Sequence, residues 1–258
     1  MRPAGFFGSA LRLLLRQPRL FLPKLVVAAL FGMGMLLTAR MVKDALSIEA
    51  LSRQELYSLF STAIFLLLYT LAAALVDIIV NAMYPVMVEN YNEKKQVSLS
   101  KALLFAFSRA KTVIPADIAV LLLFALIVFP LNYLIVFFRS SGNALGFFVS
   151  ALLLLFSVFV LVIGFYWLYP VATLEKAGIM GTLKRTVFLS RKNLKRVSIA
   201  SVFPFVVSLI NIFLAFFYDN PAFLALFVLM RFFTAVVYTY HLVLSPTLYL
   251  GLVERERQ

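Results

Sequence analysis

The sequence predicts an all-α fold: a polytopic membrane bundle of about six transmembrane helices with basic interfacial amphipathic helices, built as three parallel two-span repeats. Three observations predict it. Hydrophobic residues make up 63% of the chain and charged ones only 14%, with a mean hydropathy of +0.99, whereas a soluble domain is about half apolar and a quarter charged. The apolar residues fall in blocks of roughly the 20 residues that a helix needs to cross hydrocarbon. The charges between those blocks are distributed unevenly.

Spans fall at 20–39, 57–84, 112–138, 144–170, 197–218 and 222–250. The second and sixth exceed the minimum length, so tilt, a kink or extension beyond the bilayer is expected. An even number of spans puts both termini on one side. Of the 24 Lys and Arg, 19 lie before the first span, between the second and third, between the fourth and fifth, and after the sixth, with Lys24 counted as a border charge of the first span. The alternate side holds Arg40, Lys43, Arg53 and Arg139, together with Arg231 inside the sixth span. The positive-inside rule then assigns the rich side, and with it the N- and C-termini, to the cytoplasmic face of a cell membrane. The apolar run after Arg16 and Arg19 is long and lacks a small-residue cleavage pattern, so the first span itself is expected to act as the insertion signal.

The net charge of +13 is therefore read as topological rather than as a nucleic-acid footprint. With no Cys and one His, thiolate metal sites, disulfides and His-rich sites are excluded, and no metal or cofactor is expected. There is no HExxH, no GxSxG and no Walker loop, so the expected role is non-enzymatic.

An internal repeat organises the chain. GFFGSALRLLLRQPRLFLPKLVV from Gly5, SLSKALLFAFSRAKTVIPADIAV from Ser98 and GTLKRTVFLSRKNLKRVSIASVF from Gly181 are each a basic amphipathic run leading into a span. The closing segments are YPVMVE at Tyr84 to Glu89, YPVATLE at Tyr169 to Glu175 and, more loosely, SPTLYLGLVE at Ser245 to Glu254. Pro85, Pro170 and Pro246 mark them, 85 and then 76 residues apart. The unit is a short interfacial helix, two spans and a proline-acid exit. The chain reads as one transmembrane domain, 1–258, with units at about 5–93, 98–177 and 181–254. Since each unit crosses twice, the copies point the same way, which implies a pseudo-threefold axis along the membrane normal.

In the first interfacial helix Arg12, Arg16 and Arg19 stand at i, i+4 and i+7, with Phe7, Leu11, Leu14 and Leu15 toward lipid. Pro18 is expected to end that helix. In the third, Lys184, Arg191 and Lys195 line one edge and Arg185, Lys192 and Arg196 the next, opposite Ile179, Leu183 and Val187. Such helices lie flat at the headgroup boundary, where anionic lipids attract each basic residue. Glu89, Glu175 and Glu254 follow span ends, where the helix dipole disfavours acids, so pairing with a neighbouring basic helix is their expected use.

The segment YPVATLEKAGIMGTLKRTVFLSRKNLKRVSIASVFPFVV from Tyr169 resembles the signature of a six-span family that includes the membrane domain of glycerophosphoryl diester phosphodiesterases and the YciC-type inner-membrane proteins. There a proline-exit span, an acid, a basic amphipathic helix and another span recur in that order. The resemblance implies fold and membrane location. It implies no chemistry, because in the phosphodiesterases the active site belongs to a separate soluble domain.

Ionisable groups inside hydrocarbon are costly unless paired or hydrated, so they are the candidate sites. These are Asp77, Asn81, Asp117 and His241, with Arg231. At 1.5 Å per residue from Pro85 or Pro246, Asp77 lies about 12 Å deep, Asn81 about 6 Å, His241 about 7 Å and Arg231 about 22 Å. Asp117 enters at a level similar to the first three. Asp77 and Asn81, at i and i+4, present one polar face. That layer is either a hydrogen-bonded interhelical cluster or a proton, cation or substrate site. Arg231 is too high for a direct pair with Asp77 and is expected to snorkel outward.

The expected function is a lipid-interacting or membrane-organising role at the cytoplasmic face, with anionic lipid headgroups as partners and a place in a larger complex left open. The alternative is a small-solute or lipid permease using the inner polar layer. Cysteines introduced at Ser47 and Ser140 are expected to react with an impermeant reagent on intact cells, and ones at Ser98 or Ser190 to stay unlabelled. The reverse pattern overturns the orientation.

Overall fold

The computed structural model describes residues 3–46, 53–175, 177–215 and 221–257. Ten α-helices appear among them: α1 Pro3–Arg16, α2 Leu22–Leu46, α3 Arg53–Asn92, α4 Leu99–Ser108, α5 Ala110–Ser140, α6 Ala144–Gly164, α7 Leu168–Leu174, α8 Ile179–Lys192, α9 Leu194–Ala215 and α10 Pro221–Arg257. No strand occurs among the described residues. Five helical stretches are long and apolar enough to cross a bilayer, and a sixth if the bent pair α8 and α9 counts as one span. That make-up is consistent with a multi-pass membrane protein. On α5, Leu126 and Phe129 are 72% and 73% exposed, and apolar exposure on that scale is stable against lipid but not against water.

Two compact units make up the chain: Met1–Asn81 with Phe203–Leu244, and Ala82–Val202 with Ser245–Gln258. In the first, α1 stops at Arg16 and Pro18–Phe21 forms a 3₁₀ turn with Pro18 at its start, as the missing proline N–H requires. Small residues on α2 admit its neighbours closely. Gly32 faces Val228 of α10, and Gly34 lies under the Tyr69 ring of α3. The Tyr69 hydroxyl donates to the Leu30 carbonyl at 2.7 Å, and that of Tyr240 to the Phe7 carbonyl at 3.3 Å.

In the second unit α5 and α6 form a hairpin. Gly142 takes φ +71° in the turn, a conformation that costs glycine nothing. Asn143 caps α6 by accepting from the Gly146 amide at 2.9 Å. The fourth predicted span is one apolar stretch, Ala144–Leu174, within which α6 ends at Gly164 and a turn through buried Tyr166 and Trp167 leads into α7. Ser245 Oγ of α10 donates to the Tyr166 carbonyl at 3.0 Å, and the Tyr249 ring meets Trp167 edge-on at 5.8 Å. This tertiary anchoring holds the break.

Pro85 and Pro246, the markers of two closing segments, lie inside α3 and α10; around Pro85 residues 78–88 are all buried, so the helix continues through tightly packed surroundings across the lost backbone bond. One expectation from the sequence is corrected: the basic run from Lys184 to Arg196 is not one helix. Asn193 ends α8, donating from its side chain to the Leu189 carbonyl at 3.1 Å, and α9 leaves at 101° to α8. Lys195 and Arg196 therefore belong to α9. For the labelling experiment, Ser47 lies outside the described residues and Ser190 is 1% exposed, so a cysteine there would be silent on either side; exposed Ser100 replaces it.

The glycines of α2 give a test. A Cβ on Gly34 would meet Tyr69 Cε1 at 2.9 Å, one on Gly32 would meet Val228 at an ordinary 3.8 Å. Gly34→Val is expected to destabilise the detergent-solubilised protein by about 1–3 kcal/mol through overpacking, and Gly32→Ala to leave its melting temperature unchanged or raised. Equal effects would show that Tyr69 does not set the approach of α2 and α3.

Candidate functional site

The intramembrane polar residues of the first unit assemble around a side chain that the sequence reading counted only as a border charge. Lys24, one turn into α2, is 7% exposed, and its Nζ donates to Asp77 Oδ1 of α3. Asn81 Nδ2, one turn along, donates to Asp77 Oδ2 at 3.3 Å. The Lys24 ammonium also stands 5.8 Å from the centroid of the Tyr238 ring of α10. The hydroxyls of Tyr238 and Ser208, from α9, share a hydrogen bond, and His241 meets the Tyr238 ring edge-on at 6.3 Å. Four helices thus converge on one ion pair.

Asp77, Asn81 and His241 are brought into this cluster as expected. Asp117 belongs to the second unit, where the Tyr169 hydroxyl donates to its Oδ1 at 2.8 Å. Arg231 packs over the Phe227 ring at 4.6 Å, one turn toward the start of α10, in the direction helical side chains lean. Lys24 was legible in one respect: a lysine four residues inside an apolar block lies about 6 Å deep, level with Asn81 and within side-chain reach of Asp77 one turn further in.

In the second unit Glu175 is the hub. Its Oε1 accepts from Arg185 Nε at 3.3 Å and from the Tyr249 hydroxyl at 2.7 Å, so the expected acid-to-basic-helix pairing is present there. Glu89 is half-buried, and the side chain of Glu254 lies outside the described residues. On the exposed loop between α3 and α4, Lys95 pairs with Glu93 at 2.6 Å; the hydrogen bond to that carboxylate raises the Lys95 ammonium above its ordinary range.

The basic face is built on α8. Thr182, Thr186, Leu189 and Ser190 are its buried row, and the three hydroxyls have no hydrogen-bond partner among the described residues. Several span hydroxyls bond to their own helix instead, as Thr70 does to the Leu66 carbonyl at 2.7 Å and Thr239 to that of Ala235 at 2.7 Å. Turning about 100° per residue from the buried row, the next band is apolar, with Met180, Leu183 and Val187. The band after it is mainly basic, with Lys184, Arg191 and Lys192 exposed and Arg185 half-buried, and it also holds exposed Phe188.

Two other short helices carry the bands in the same rotational order. On α1 the buried row is Phe6, Ala10, Leu13 and Leu14, followed by exposed Leu11 and Leu15 and then exposed Arg12 and Arg16. Leu14, expected toward lipid, is in the buried row at 2% exposure, because it stands one turn on from Ala10. On α4, buried Ala102 and Ala106 are followed by exposed Leu103 and Phe107 and then Lys101.

Between the end of α6 and the outward side of α8 lies a groove of about 720 Å³. Phe165, Leu183, Val187 and Phe188 give it apolar walls, and Lys184, Arg191 and Lys192 give it three cations. No protein-family model matches the sequence, and no curated protein or solved structure does.

The ion pair yields a sharp expectation. Asp77→Asn leaves the enclosed Lys24 ammonium without its counter-charge and is expected to cost about 3 kcal/mol in detergent. Lys24→Met combined with Asp77→Leu removes both charges and is expected to recover most of that loss. A single variant as stable as the wild type would mean that water, not Asp77, solvates Lys24.

Proposed function

We propose that this chain is a non-enzymatic multi-pass membrane protein that organises anionic lipid at the cytoplasmic face through three basic interfacial helices. The observation that carries the reading is the shared order of bands on α1, α4 and α8. A helix with one side against protein, the next apolar and the third basic fits the boundary where acyl chains give way to headgroups. The 101° bend between α8 and α9 supports it, since a helix roughly perpendicular to a crossing helix lies in the membrane plane.

The same rotational order supports reading the chain as three parallel copies of one unit. It also supports the likeness to the six-span family of the phosphodiesterase membrane domain, whose signature includes the basic helix. The cytoplasmic assignment rests on the distribution of Lys and Arg.

A second reading, a permease for a small solute or lipid, draws on the cluster of Lys24, Asp77, Asn81, Ser208, Tyr238 and His241. The ion pair favours the interhelical role, because Asp77 already holds a cation of the protein itself.

The test uses the two helices that contribute no residue to the groove lining. Replacing Arg12, Arg16 and Lys101 by Gln is expected to lower the anionic lipid that copurifies with the protein severalfold, read by native mass spectrometry, while zwitterionic lipid stays constant. Unchanged anionic lipid would reduce these residues to topological signals.

A further inference from the structure

We infer that the groove beside α8 seats a single phospholipid whose headgroup carries more than one negative charge, a phosphomonoester lipid being the simplest member of that class. The inference rests on the lipid-organising reading and sharpens it from a charged surface to a discrete site.

The lining sets the chemistry. Three of its seven residues are cations, Lys184, Arg191 and Lys192, and none is an acid. The acid nearest in sequence whose side chain is described, Glu175, is engaged by Arg185 and Tyr249, which leaves it committed within the protein. A phosphodiester lipid brings one negative charge to the two cations Lys184 and Arg191. A phosphomonoester brings about 1.5 to 2, with three acceptor oxygens. Arg191 can grip two of those oxygens with its planar fork, while a lysine acts as a point charge.

Geometry separates a lipid from free phosphate. Lys184 and Arg191 are seven residues apart, about 10 Å along α8, so the cations line a track rather than close a cage. Val187 and Phe188 lie between them in sequence, and Phe165 comes from the C-terminal end of α6. A volume of about 720 Å³ is in the range of pockets that take molecules of lipid-fragment size. An occupant that satisfies both halves has an apolar tail on the phenylalanine walls and its charge against the α8 cations.

The full-length protein in detergent, titrated with dioleoyl phosphatidic acid, phosphatidylglycerol, phosphatidylcholine and glycerol 3-phosphate, tests this by native mass spectrometry. A one-to-one complex with phosphatidic acid is expected, at least tenfold tighter than with phosphatidylglycerol, and none with the tail-less phosphate. Lys184→Gln with Arg191→Gln should weaken it tenfold or more without lowering the melting temperature, and Arg191→Lys should weaken it in part. Arg139→Gln, at an exposed cation outside the three basic helices, should leave it unchanged. If phosphatidic acid and phosphatidylglycerol bind alike, or if the α8 variant loses no more than Arg139→Gln, the discrete site is overturned while the general lipid reading stands. Glycerol 3-phosphate binding as tightly as the lipid would overturn the lipid assignment, and no preference for any anionic lipid would overturn both readings.

Discussion

A lysine ammonium enclosed by apolar helices must be neutralised where it sits, and the first unit is arranged around that requirement. Lys24 and Asp77 are each expensive to bury alone and tolerable together. Pairing them fixes the height of α2 against α3, because a slip of one turn, 5.4 Å, would separate the charges. Tyr238 and Ser208 extend the constraint to α10 and α9 through a ring face and a shared hydrogen bond. Apolar packing between lipid-embedded helices has little directional preference of its own. The ion pair and the close approach at Gly34 supply the register that Leu and Val contacts leave open.

The second unit solves a different problem with polar groups. Its crossing segment breaks at Phe165 to Trp167, and the aromatic side chains there pack inward and are tied by α10 through Ser245 and Tyr249. Glu175 then holds Arg185 against the body of the unit, which turns the other cations of α8 outward. The buried hydroxyls of Thr182, Thr186 and Ser190 let α8 pack closely with small side chains, but each unmade hydrogen bond costs about 1–3 kcal/mol. The apolar residues that a soluble helix would bury are instead on the outer side of α8, where they can meet acyl chains.

How much of this the sequence disclosed follows from the kind of signal each feature leaves. Crossing helices show as long apolar runs, and the end of α1 shows as Pro18, because both effects are local. The break at Phe165 to Trp167 left no local signal: GFYW is apolar, and the turn is held by residues some 80 positions away. The bend at Asn193 was masked by the even spacing of charges through it. Lys24 is ambiguous in the sequence because its position at the edge of a block suits both a topological charge and a buried partner, and only the location of Asp77 decides between them. Thr182, Thr186 and Ser190 stand at i, i+4 and i+8, a visible stripe. Periodicity of apolar residues does not reveal it, because hydroxyls do not count toward an apolar face.

That stripe explains why the basic helices are better read by three bands than by two. An amphipathic helix on water and lipid alone needs one apolar and one polar side. A helix that also docks on its own protein needs a third side, which can be filled by Ala on α4, Leu and Phe on α1, or Thr and Ser on α8, provided the side chains suit the packing. The rotational order of the other two bands then depends on which way the helix runs past the protein it rests on. Reversing the chain direction while keeping protein, lipid and water in place would reverse the order. The shared order on α1, α4 and α8 is what three helices running past their supporting protein in the same sense would show, and it is this that lends weight to the proposed repeat.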